Sequence, residues 1–281
     1  MEQKTDHRPL LLLIRPHDFL HAIRAELSEF CDVTHLDVEH VTAIWCNPSF
    51  RFTGDPGTLP NVRYVLTNTT DTSHVDAFCG AKGIRPISLQ DPSLRDELKD
   101  VTATADYAEI LVRLALRAVD RDDPPGKEIH RATVGLLVPD ANWPGRIARN
   151  LADRLIYLGG KMIYLDFENL PQSSGIDCLS VHLPAIPRYQ GVLCEDLFRR
   201  LPFGVALVNT SRGTLVCERD LLNALETGRI RRYVSDFPGP DHPRILNTNH
   251  VAGYEQNAVL QTQRMIVRLF RRRIEESRGL S

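Results

Sequence analysis

The sequence lacks three features that would each point to a particular class of protein: an excess of one charge, a long hydrophobic run, and repeated or low-complexity segments. Lys and Arg number 34 against 36 Asp and Glu, for a formal net charge of −2. This near balance gives no reason to expect nucleic acid or an anionic membrane as a partner. The apolar run Leu10–Ile14 is far too short to span a bilayer and carries no signal-peptide cleavage pattern. We therefore expect a protein that binds neither nucleic acid nor membranes.

The cysteines also lack the spacing of a metal site. No two of the six form a C-x-x-C pair, and they are scattered along the chain. Such spacing argues against zinc and against a disulfide framework, and it is typical of the reducing cytosol. We therefore expect a cytoplasmic protein without a bound metal, in which every cysteine is a small, buried apolar residue. The six are Cys31, Cys46, Cys79, Cys178, Cys194 and Cys217.

What the sequence does contain is a regular alternation of strand-like and helix-like segments, in two regions. At 281 residues, 42% of them hydrophobic, the chain is long enough for two modest domains. Between the regions lies a polar stretch with two prolines, residues 120–126, which cannot continue a helix. This alternation predicts an α/β fold with mostly parallel, doubly wound sheets.

Periodicity of the apolar residues places the individual elements. The predicted helices are Phe19–Phe30, Val75–Lys82 with Gly83 as C-cap, Thr102–Val119, Arg146–Tyr157, Arg219–Thr227 and Gln256–Glu276. The predicted strands are Leu10–Ile14, Val33–Leu36, Ala43–Trp45, Asn61–Leu66, Ile84–Leu89, Thr133–Val138, Lys161–Leu165, Cys178–Leu183, Val205–Asn209 and Arg232–Ser235. The basic run 271–273 on the last helix is expected to be a solvated face.

A first candidate site is the turn at Gly145, Arg146 and Ile147, which follows a predicted strand and opens a helix. Such a turn offers backbone N–H groups and the helix dipole to a pyrophosphate. Asp166, about twenty residues further on, would take the ribose hydroxyls and favour NAD over NADP. However, in the G-x-G-x-x-G pattern that marks such dinucleotide-binding turns, Trp143 occupies the first glycine position. The local pattern therefore fits an ordinary strand–turn–helix equally well.

Two further candidates are an arginine and a histidine. Arg212 follows the carboxyl end of the predicted strand Val205–Asn209, and α/β sheets bind ligands at that end of their strands. The two parallel N–H donors of its guanidinium suit a carboxylate. The alternative is a surface arginine in a turn. His250 lies before the final helix and could act as a general acid–base, with Asp241 as the carboxylate that orients it. On its own, a histidine there would more commonly be structural.

Several segments, which follow one another along the chain in the family's order, resemble one known family, the D-isomer-specific 2-hydroxyacid dehydrogenases, and phosphoglycerate dehydrogenases in particular. Residues 208–237 resemble the signature around the family's catalytic arginine, and residues 250–258 resemble the segment of its catalytic histidine. Residues 177–184 resemble the strand and turn beside the cofactor. Residues 67–76 resemble the loop that holds the substrate carboxylate, and the helix from Thr102 resembles the helix that links the domains.

The resemblance implies a shortened Rossmann-like dinucleotide-binding domain over residues 102–254. A flavodoxin-like substrate domain would combine residues 1–101 and 255–281. It further implies a homodimer, NAD as cofactor, and a small anionic 2-hydroxy or 2-oxo acid as substrate. The residue roles that it implies are substrate binding by Arg212, Thr69, Thr70 and Asp71, acid–base catalysis by His250, a nicotinamide contact by Asp236, and a dinucleotide lining from Thr210, His182, Gly145, Arg146 and Ile147.

The chain also departs from the family pattern. The glutamate that partners the histidine falls at Pro240, so that only the shorter Asp241 could replace it. The segment between Asp166 and Asp177 is much shorter than in the family, and Asp71 stands where glycine is common. Three hypotheses follow: an NAD-dependent oxidoreductase of 2-hydroxy acids, a binding or regulatory protein without efficient turnover, and a specialised biosynthetic enzyme with altered chemistry.

Overall fold

The structure, a computed structural model, describes residues 8–14, 20–34, 39–47, 51–53, 55–118, 125–170 and 175–279. The chain divides into two compact units. Unit 1 comprises Met1–Val101 and Gln256–Ser281, and unit 2 comprises Thr102–Glu255.

The strands formed by the described residues are all paired in parallel. They are β1 (Leu10–Ile14), β2 (Asp32–Thr34), β3 (Ala43–Cys46), β4 (Tyr64–Leu66), β5 (Thr133–Leu137), β6 (Lys161–Leu165), β7 (Cys178–Val181), β8 (Val205–Asn209), β9 (Ile230–Ser235) and β10 (Ile245–Asn247). The α-helices are α1 (Leu20–Ser28), α2 (Asp76–Lys82), α3 (Ala103–Leu116), α4 (Arg146–Tyr157), α5 (Glu195–Arg200), α6 (Glu218–Glu226) and α7 (Gln256–Arg278).

Unit 1 is built on a four-stranded sheet in the order β2-β1-β3-β4. Successive side chains of a strand point to opposite faces, so apolar residues at every position supply two separate cores. On one face Leu11 and Trp45 pack with Phe270 of α7. On the other face Ile44 packs with Phe78 of α2. Helices therefore cover both faces, as the continuous apolar strands predict.

Unit 2 is built on a six-stranded sheet in the order β10-β9-β8-β7-β5-β6. One face packs against α3 and α4, where Leu136 meets Leu111 and Leu151. The other face packs against α5 and α6, where Leu207 meets Leu221. Because all strands run in parallel, their carboxyl ends meet at one edge of the sheet, which is where α/β sheets bind ligands.

The predicted α/β class with parallel sheets is confirmed. The structure reproduces Arg146–Tyr157, Lys161–Leu165 and Val205–Asn209 with their predicted bounds. Gly83 is the left-handed C-cap of α2, with φ of 64°. Phe19 and the end of the predicted strand Val33–Leu36 lie outside the described residues.

One element prediction is wrong, and one strand was not predicted. Ile84–Leu89 forms no strand, because only Ile87 pairs with β4, through a single bridge to Leu66. The Leu89 amide instead donates to Thr69 O, 3.0 Å away, and ties this segment to the loop after β4. The sequence also gave no sign of β10, a three-residue edge strand whose burial pattern has no buried position.

The prediction that all six cysteines are buried is correct for four of them. Cys31, Cys46, Cys79 and Cys178 are buried, whereas Cys194 and Cys217 are partly exposed. The basic run near the end of α7 is a solvated face: Arg271 pairs with Glu29 and Arg273 with Asp91. None of the helices formed by the described residues is both long and apolar enough to cross a membrane.

Candidate active site

The turn that carries Arg212 is organised by Asn209, the last and fully buried residue of β8. The Asn209 amide donates to Arg212 O at 2.8 Å and to Tyr233 Oη at 3.1 Å, and its Oδ1 accepts from the Ser211 amide at 3.0 Å. Ser211 Oγ donates to Val181 O at 2.7 Å, at the end of the neighbouring strand. Arg212 is thus fixed at the carboxyl edge of the sheet, half-buried, with Nη1 donating to Ser211 O at 2.6 Å.

Asp236 follows β9, the next strand, and is fully buried. Its amide donates to Asn209 O at 3.0 Å. Its Oδ1 accepts from Thr248 Oγ1 and from the Val251 amide, each at 2.8 Å, while Oδ2 accepts from the Ala252 amide at 2.9 Å. The carboxylate therefore holds the loop that contains His250. A nicotinamide contact, the predicted role, would have to use the acceptor capacity that remains on Oδ2.

His250 is held in an unusual backbone conformation. It is the one non-glycine residue with positive φ, 56°, in the described part of the chain. Its amide donates to Asp236 O at 2.6 Å, and its ring lies 4.8 Å from the Phe237 ring, between centroids. The left-handed region costs a residue with a Cβ about 1–3 kcal/mol, and such outliers cluster at functional sites.

Asp241, the predicted partner of His250, does not meet it. Asp241 is exposed, and among the described residues it forms no hydrogen bond or ion pair. In the same loop, His242 pairs with Glu226 at 3.1 Å through Nε2 and accepts from the Arg244 amide through Nδ1 at 3.0 Å. The structure brings Arg212, Asp236 and His250 together and leaves Asp241 outside this cluster.

His182 lies just beyond β7, the strand on the other side of β8. Its amide donates to Leu137 O at 2.8 Å, and its Nε2 lies 3.0 Å from Ser180 Oγ. Burial lowers the pKa of His182 to about 4. The imidazole is therefore neutral near pH 7 and can both donate and accept a hydrogen bond at this edge.

The predicted dinucleotide turn is open to solvent. Gly145 is the N-cap of α4 and provides no side-chain cap, and a Cβ added to it would meet no atom within 4 Å. Trp143 does not fill this space, since its side chain is 80% exposed. Ile147 is half-buried in the first turn of α4. Arg146 is also half-buried, and burial lowers its pKa.

Asp166 directly follows β6, and its carboxylate mainly accepts hydrogen bonds from nearby backbone amides. Its Oδ1 accepts from the Glu168 and Asn169 amides at 3.0 and 2.9 Å, and its Oδ2 accepts from the Ala141 amide at 3.1 Å. These backbone hydrogen bonds, that from Asn169 first, lower the pKa of Asp166. The bond to Ala141 fixes the segment before Gly145. Asp166 therefore stabilises the predicted dinucleotide turn, and this role does not depend on a contact with a ribose.

The residues at this edge of the sheet fit a dinucleotide in part. Thr210 Oγ1 is buried without a hydrogen-bond partner among the described residues, so it lies ready for a ligand group beside the Arg212 turn. The uncapped N-terminus of α4 suits a pyrophosphate. At the ribose position the fit is weaker, because three backbone amides already occupy the Asp166 carboxylate. The residues present fit the nicotinamide and pyrophosphate parts of NAD better than its adenosine part.

The predicted substrate loop belongs to unit 1 and follows β4. The Thr69 hydroxyl accepts from the Asp71 amide at 3.2 Å, and Thr70 O accepts from Gln90 Nε2 at 2.6 Å. The Asp71 carboxylate accepts from the Ser73 amide at 3.0 Å. The loop is thus ordered by its own hydrogen bonds, and the negative charge of Asp71 is engaged within it.

Sequence reasoning missed Asn209, Ser211 and Thr248, the residues that hold Arg212 and Asp236 in place. A signal was present for two of them. Asn209 ends an apolar strand and Ser211 follows it closely, and polar residues at that position face the ligand edge of a parallel sheet. Thr248 carried no such signal, because its contact with Asp236 depends on how the loop folds back.

Fold and site together define an α/β protein with a parallel sheet of the dinucleotide-binding kind, with an arginine and a histidine at its carboxyl edge. The sequence comparison then identifies the family. Residues 101–252, more than half of the chain, match the family described as "D-isomer specific 2-hydroxyacid dehydrogenase, NAD binding domain". The chain belongs to the D-isomer-specific 2-hydroxyacid dehydrogenase family, and the matched region is that family's NAD-binding domain, as the resemblance implied.

Individual relatives agree with this assignment. The chain is 24% identical over 192 residues to a D-specific alpha-keto acid dehydrogenase of Enterococcus faecium, covering 60% of this chain and 55% of the relative. It is 31% identical over 134 residues to human D-3-phosphoglycerate dehydrogenase, covering 42% and 24% of the two chains. The chain thus spans about half the length of the first relative and a quarter of the second. A glyoxylate reductase from Paecilomyes thermophila has a similar fold, with a TM-score of 0.76, 22% identity and 96% of each chain covered.

Proposed function

We propose that this protein catalyses reversible hydride transfer between NAD(H) and a small 2-hydroxy or 2-oxo acid. The observation that carries the proposal is one hydrogen-bonded cluster at the carboxyl ends of β8 and β9. Within it, Asn209 holds Arg212, the Asp236 amide is bound to Asn209 O, and the His250 amide is bound to Asp236 O. A substrate-binding cation and a proton-transfer group are therefore held in one rigid frame.

Arg212 would bind the substrate carboxylate. A guanidinium presents two parallel N–H donors to a carboxylate, which fixes the orientation of the acid as well as its position. Thr69, Thr70 and Asp71 are proposed as further substrate-binding residues. Their support is the ordered loop after β4 and its resemblance to the loop of the family.

His250 would move the proton. In oxidation of the 2-hydroxy acid, a ring nitrogen accepts the hydroxyl proton, and in the reverse reaction it returns the proton to the carbonyl oxygen. When NAD is bound, its nicotinamide accepts or supplies the hydride. Thr210, Gly145, Arg146 and Ile147 would hold the dinucleotide, with His182, Asp236 and Asp166 adding hydrogen bonds where their existing contacts leave capacity.

A second candidate function is supported by the exposed position of Asp241 and the engaged Asp166 carboxylate. With Asp241 exposed and away from His250, a protein of this family could bind its ligands and turn them over poorly. The homodimer also belongs to the proposal, and the exposed apolar side chains of Ile110 and Leu114 on α3 support it. Analytical ultracentrifugation tests the dimer directly.

The test that separates the two functions begins with NADH and NADPH binding, measured by calorimetry and by tryptophan fluorescence. The chain has two tryptophans. Trp45 is 2% exposed in unit 1 and Trp143 is 80% exposed beside Gly145, so quenching reports mainly on the dinucleotide turn. Saturable NADH binding in the micromolar range supports the proposal. Absence of binding of either nucleotide at millimolar concentration contradicts it.

A screen of 2-oxo acids with NADH then tests turnover. For any acid reduced, Arg212→Gln should lower kcat/KM by about 10- to 100-fold, since hydrogen bonds to charged groups contribute about 1.5–3 kcal/mol. Arg212→Lys keeps the charge without the fork and should recover only part of the loss. Tight NADH binding with no acid reduced would favour the binding protein.

A further inference from the structure

Cys194 and Cys217 differ from the other four cysteines in being partly exposed. Both belong to unit 2, and each immediately precedes a helix, α5 and α6 respectively. Neither has a part in the proposed hydride transfer. Their positions along the chain are far apart, and nothing in their sequence spacing connects them.

The fold brings the segments that contain these two cysteines side by side. Leu193 and Val216 pair in a parallel bridge, in which the Leu193 amide donates to Leu215 O at 2.8 Å and the Cys217 amide donates to Leu193 O at 3.0 Å. Both cysteines have extended backbone angles, with φ and ψ of −130° and −179° for Cys194 and −85° and 100° for Cys217. Carrying this register one residue beyond the isolated bridge puts Cys194 opposite Cys217.

Hydrogen bonds hold the two segments together on both sides of this pair. Before it, the Gly191 amide donates to Thr214 O at 2.9 Å. After it, the Glu195 amide donates to the Asp220 carboxylate at 3.2 Å, and the same carboxylate accepts from the Cys217 thiol. Neighbouring strands lie about 4.8 Å apart, which falls within the Cα separation of about 4.4–6.8 Å that a disulfide spans.

We propose that Cys194 and Cys217 form a reversible intramolecular disulfide. With a peroxide as oxidant, one thiol loses its proton and its sulfur attacks the O–O bond, giving a sulfenic acid and one water from hydrogen peroxide. The second sulfur then attacks the sulfenic sulfur, the S–O bond breaks, the S–S bond forms and a second water leaves. Two thiols and one peroxide thus give one disulfide and two waters.

The remaining thiols are poor competitors for the same oxidant. Burial raises the pKa of Cys31, Cys46 and Cys178 to about 12 and that of Cys79 to about 11. The thiolate is the reactive form of cysteine, so these four stay protonated as well as shielded. Oxidation should therefore be confined to the partly exposed pair.

The disulfide would join the segment that carries Thr210 and Arg212 to the segment that precedes α5. Arg212 lies in the same β8–α6 connection as Cys217. Oxidation therefore reduces the freedom of the turn that presents Arg212, although formation of the bond does not depend on the proposed function.

The full-length chain offers a clean mapping experiment. It is treated with hydrogen peroxide under native conditions, remaining thiols are alkylated, and the unreduced protein is digested with trypsin. Cleavage after Arg188, Arg199, Arg212 and Arg219 puts Cys194 in peptide 189–199 and Cys217 in peptide 213–219, each as the single cysteine. The expected product is these two peptides joined, lighter than their sum by two hydrogen atoms and separated again by dithiothreitol.

Matched variants check the assignment. Cys194→Ser and Cys217→Ser should each abolish the joined peptide. Cys31→Ser should keep it, because serine can retain the hydrogen bond that Cys31 Sγ donates to Leu27 O. Three results overturn the proposal: both thiols still alkylated after oxidation, separate oxidation to sulfinic acids without a joined peptide, or a disulfide between two chains, seen as a dimer on a non-reducing gel.

Discussion

At the scale of single residues, Asp236 links the sheet to the loop of His250. Its carboxylate accepts hydrogen bonds from Thr248, Val251 and Ala252, and its backbone oxygen accepts from His250. These contacts keep His250 in a left-handed conformation that it would otherwise leave. The residue that holds the loop of His250 in place is thus Asp236, directly after β9, and not Asp241.

Replacing Asp236 tests this positioning role. Asp236→Ala removes one acceptor group for three donors and should lower the free energy of unfolding by about 2–4 kcal/mol, since each buried donor left unpaired costs about 1–3 kcal/mol. Thr248→Val removes a single donor and should cost about 1 kcal/mol. Urea denaturation measures both. Equal stability of Asp236→Ala and the parent protein would contradict the contacts described.

His250 and Asp241 should differ sharply in their effect on turnover. His250→Gln removes the proton-transfer group and should lower kcat by about 10²–10⁴-fold, the usual contribution of general acid–base catalysis. Asp241→Asn should change kcat by less than about fivefold, because an exposed charge contributes at most roughly 1 kcal/mol. Steady-state kinetics on the acid found in the screen provide the measurement. A large loss in Asp241→Asn would restore the carboxylate partner expected from sequence.

At the scale of elements, two glycines around the dinucleotide turn have opposite surroundings. A Cβ on Gly135, in the centre of β5, would lie 2.7 Å from Leu165 Cδ1 and 3.1 Å from Leu179 Cδ1. A Cβ on Gly145 would meet no atom within 4 Å. The first glycine is required by packing against neighbouring strands. The second has no structural requirement, so any need for it must come from a ligand.

The matched substitutions separate these two causes. Gly135→Ala should destabilise the protein by about 1–3 kcal/mol, the usual cost of overpacking a core. Gly145→Ala should lower the urea midpoint less than Gly135→Ala does, since alanine is a poorer N-cap than glycine by only about 0.5–1 kcal/mol. It should weaken NADH binding, because the methyl group would stand where the pyrophosphate approaches the backbone. Unchanged NADH affinity in Gly145→Ala would remove this turn from the cofactor site.

His182, at the end of β7, should make stability depend on pH. Burial lowers its pKa from 6.5 to about 4, so the unfolded chain binds a proton first as the pH falls. Stability is then lost between about pH 6.5 and pH 4, by about 2–3 kcal/mol in all. His182→Gln cannot titrate and should show a shallower decline of the urea midpoint, whereas His130→Gln, at an exposed position, should follow the parent protein. Parallel curves for His182→Gln and the parent would contradict the prediction.

At the scale of the whole molecule, the two units differ in how the chain forms them. Unit 2 is one continuous segment, Thr102–Glu255, with cores on both faces of its sheet. Unit 1 is assembled from both ends of the chain, and α7 supplies Phe270 to its core. Continuity and a complete core are what an independently folding domain needs.

A fragment of residues 102–255 should therefore fold alone, unfold cooperatively in urea and bind NADH about as tightly as the full chain, because all the candidate dinucleotide residues lie within it. Circular dichroism measures the unfolding transition, and calorimetry measures the NADH affinity. The reciprocal fragment 1–101, which lacks α7, should not unfold cooperatively. A fragment 102–255 without a cooperative transition would show that unit 2 depends on the rest of the chain.

Local patterns in the sequence were sufficient for the fold class, the position of most elements and the family. Short apolar runs such as Val205–Asn209 are typical of buried strands, helical periodicity predicted Arg146–Tyr157, and a glycine after α2 predicted the left-handed cap. The segments around Arg212 and His250 were recognisable because each is a contiguous stretch of sequence. Such features depend on neighbours in the chain, which a sequence displays directly.

Tertiary structure alone decided which of these residues meet. The hydrogen bonds of Asp236 to residues 248–252, the single bridge at Ile87 and the bridge between Leu193 and Val216 join parts of the chain that no local pattern relates. The exposed position of Asp241 likewise follows from how its loop folds. The physical reason is that burial and hydrogen bonding act between surfaces brought together by folding. Sequence by itself therefore determined the elements and the family of this protein, and only the folded arrangement decided the partners of its candidate catalytic residues.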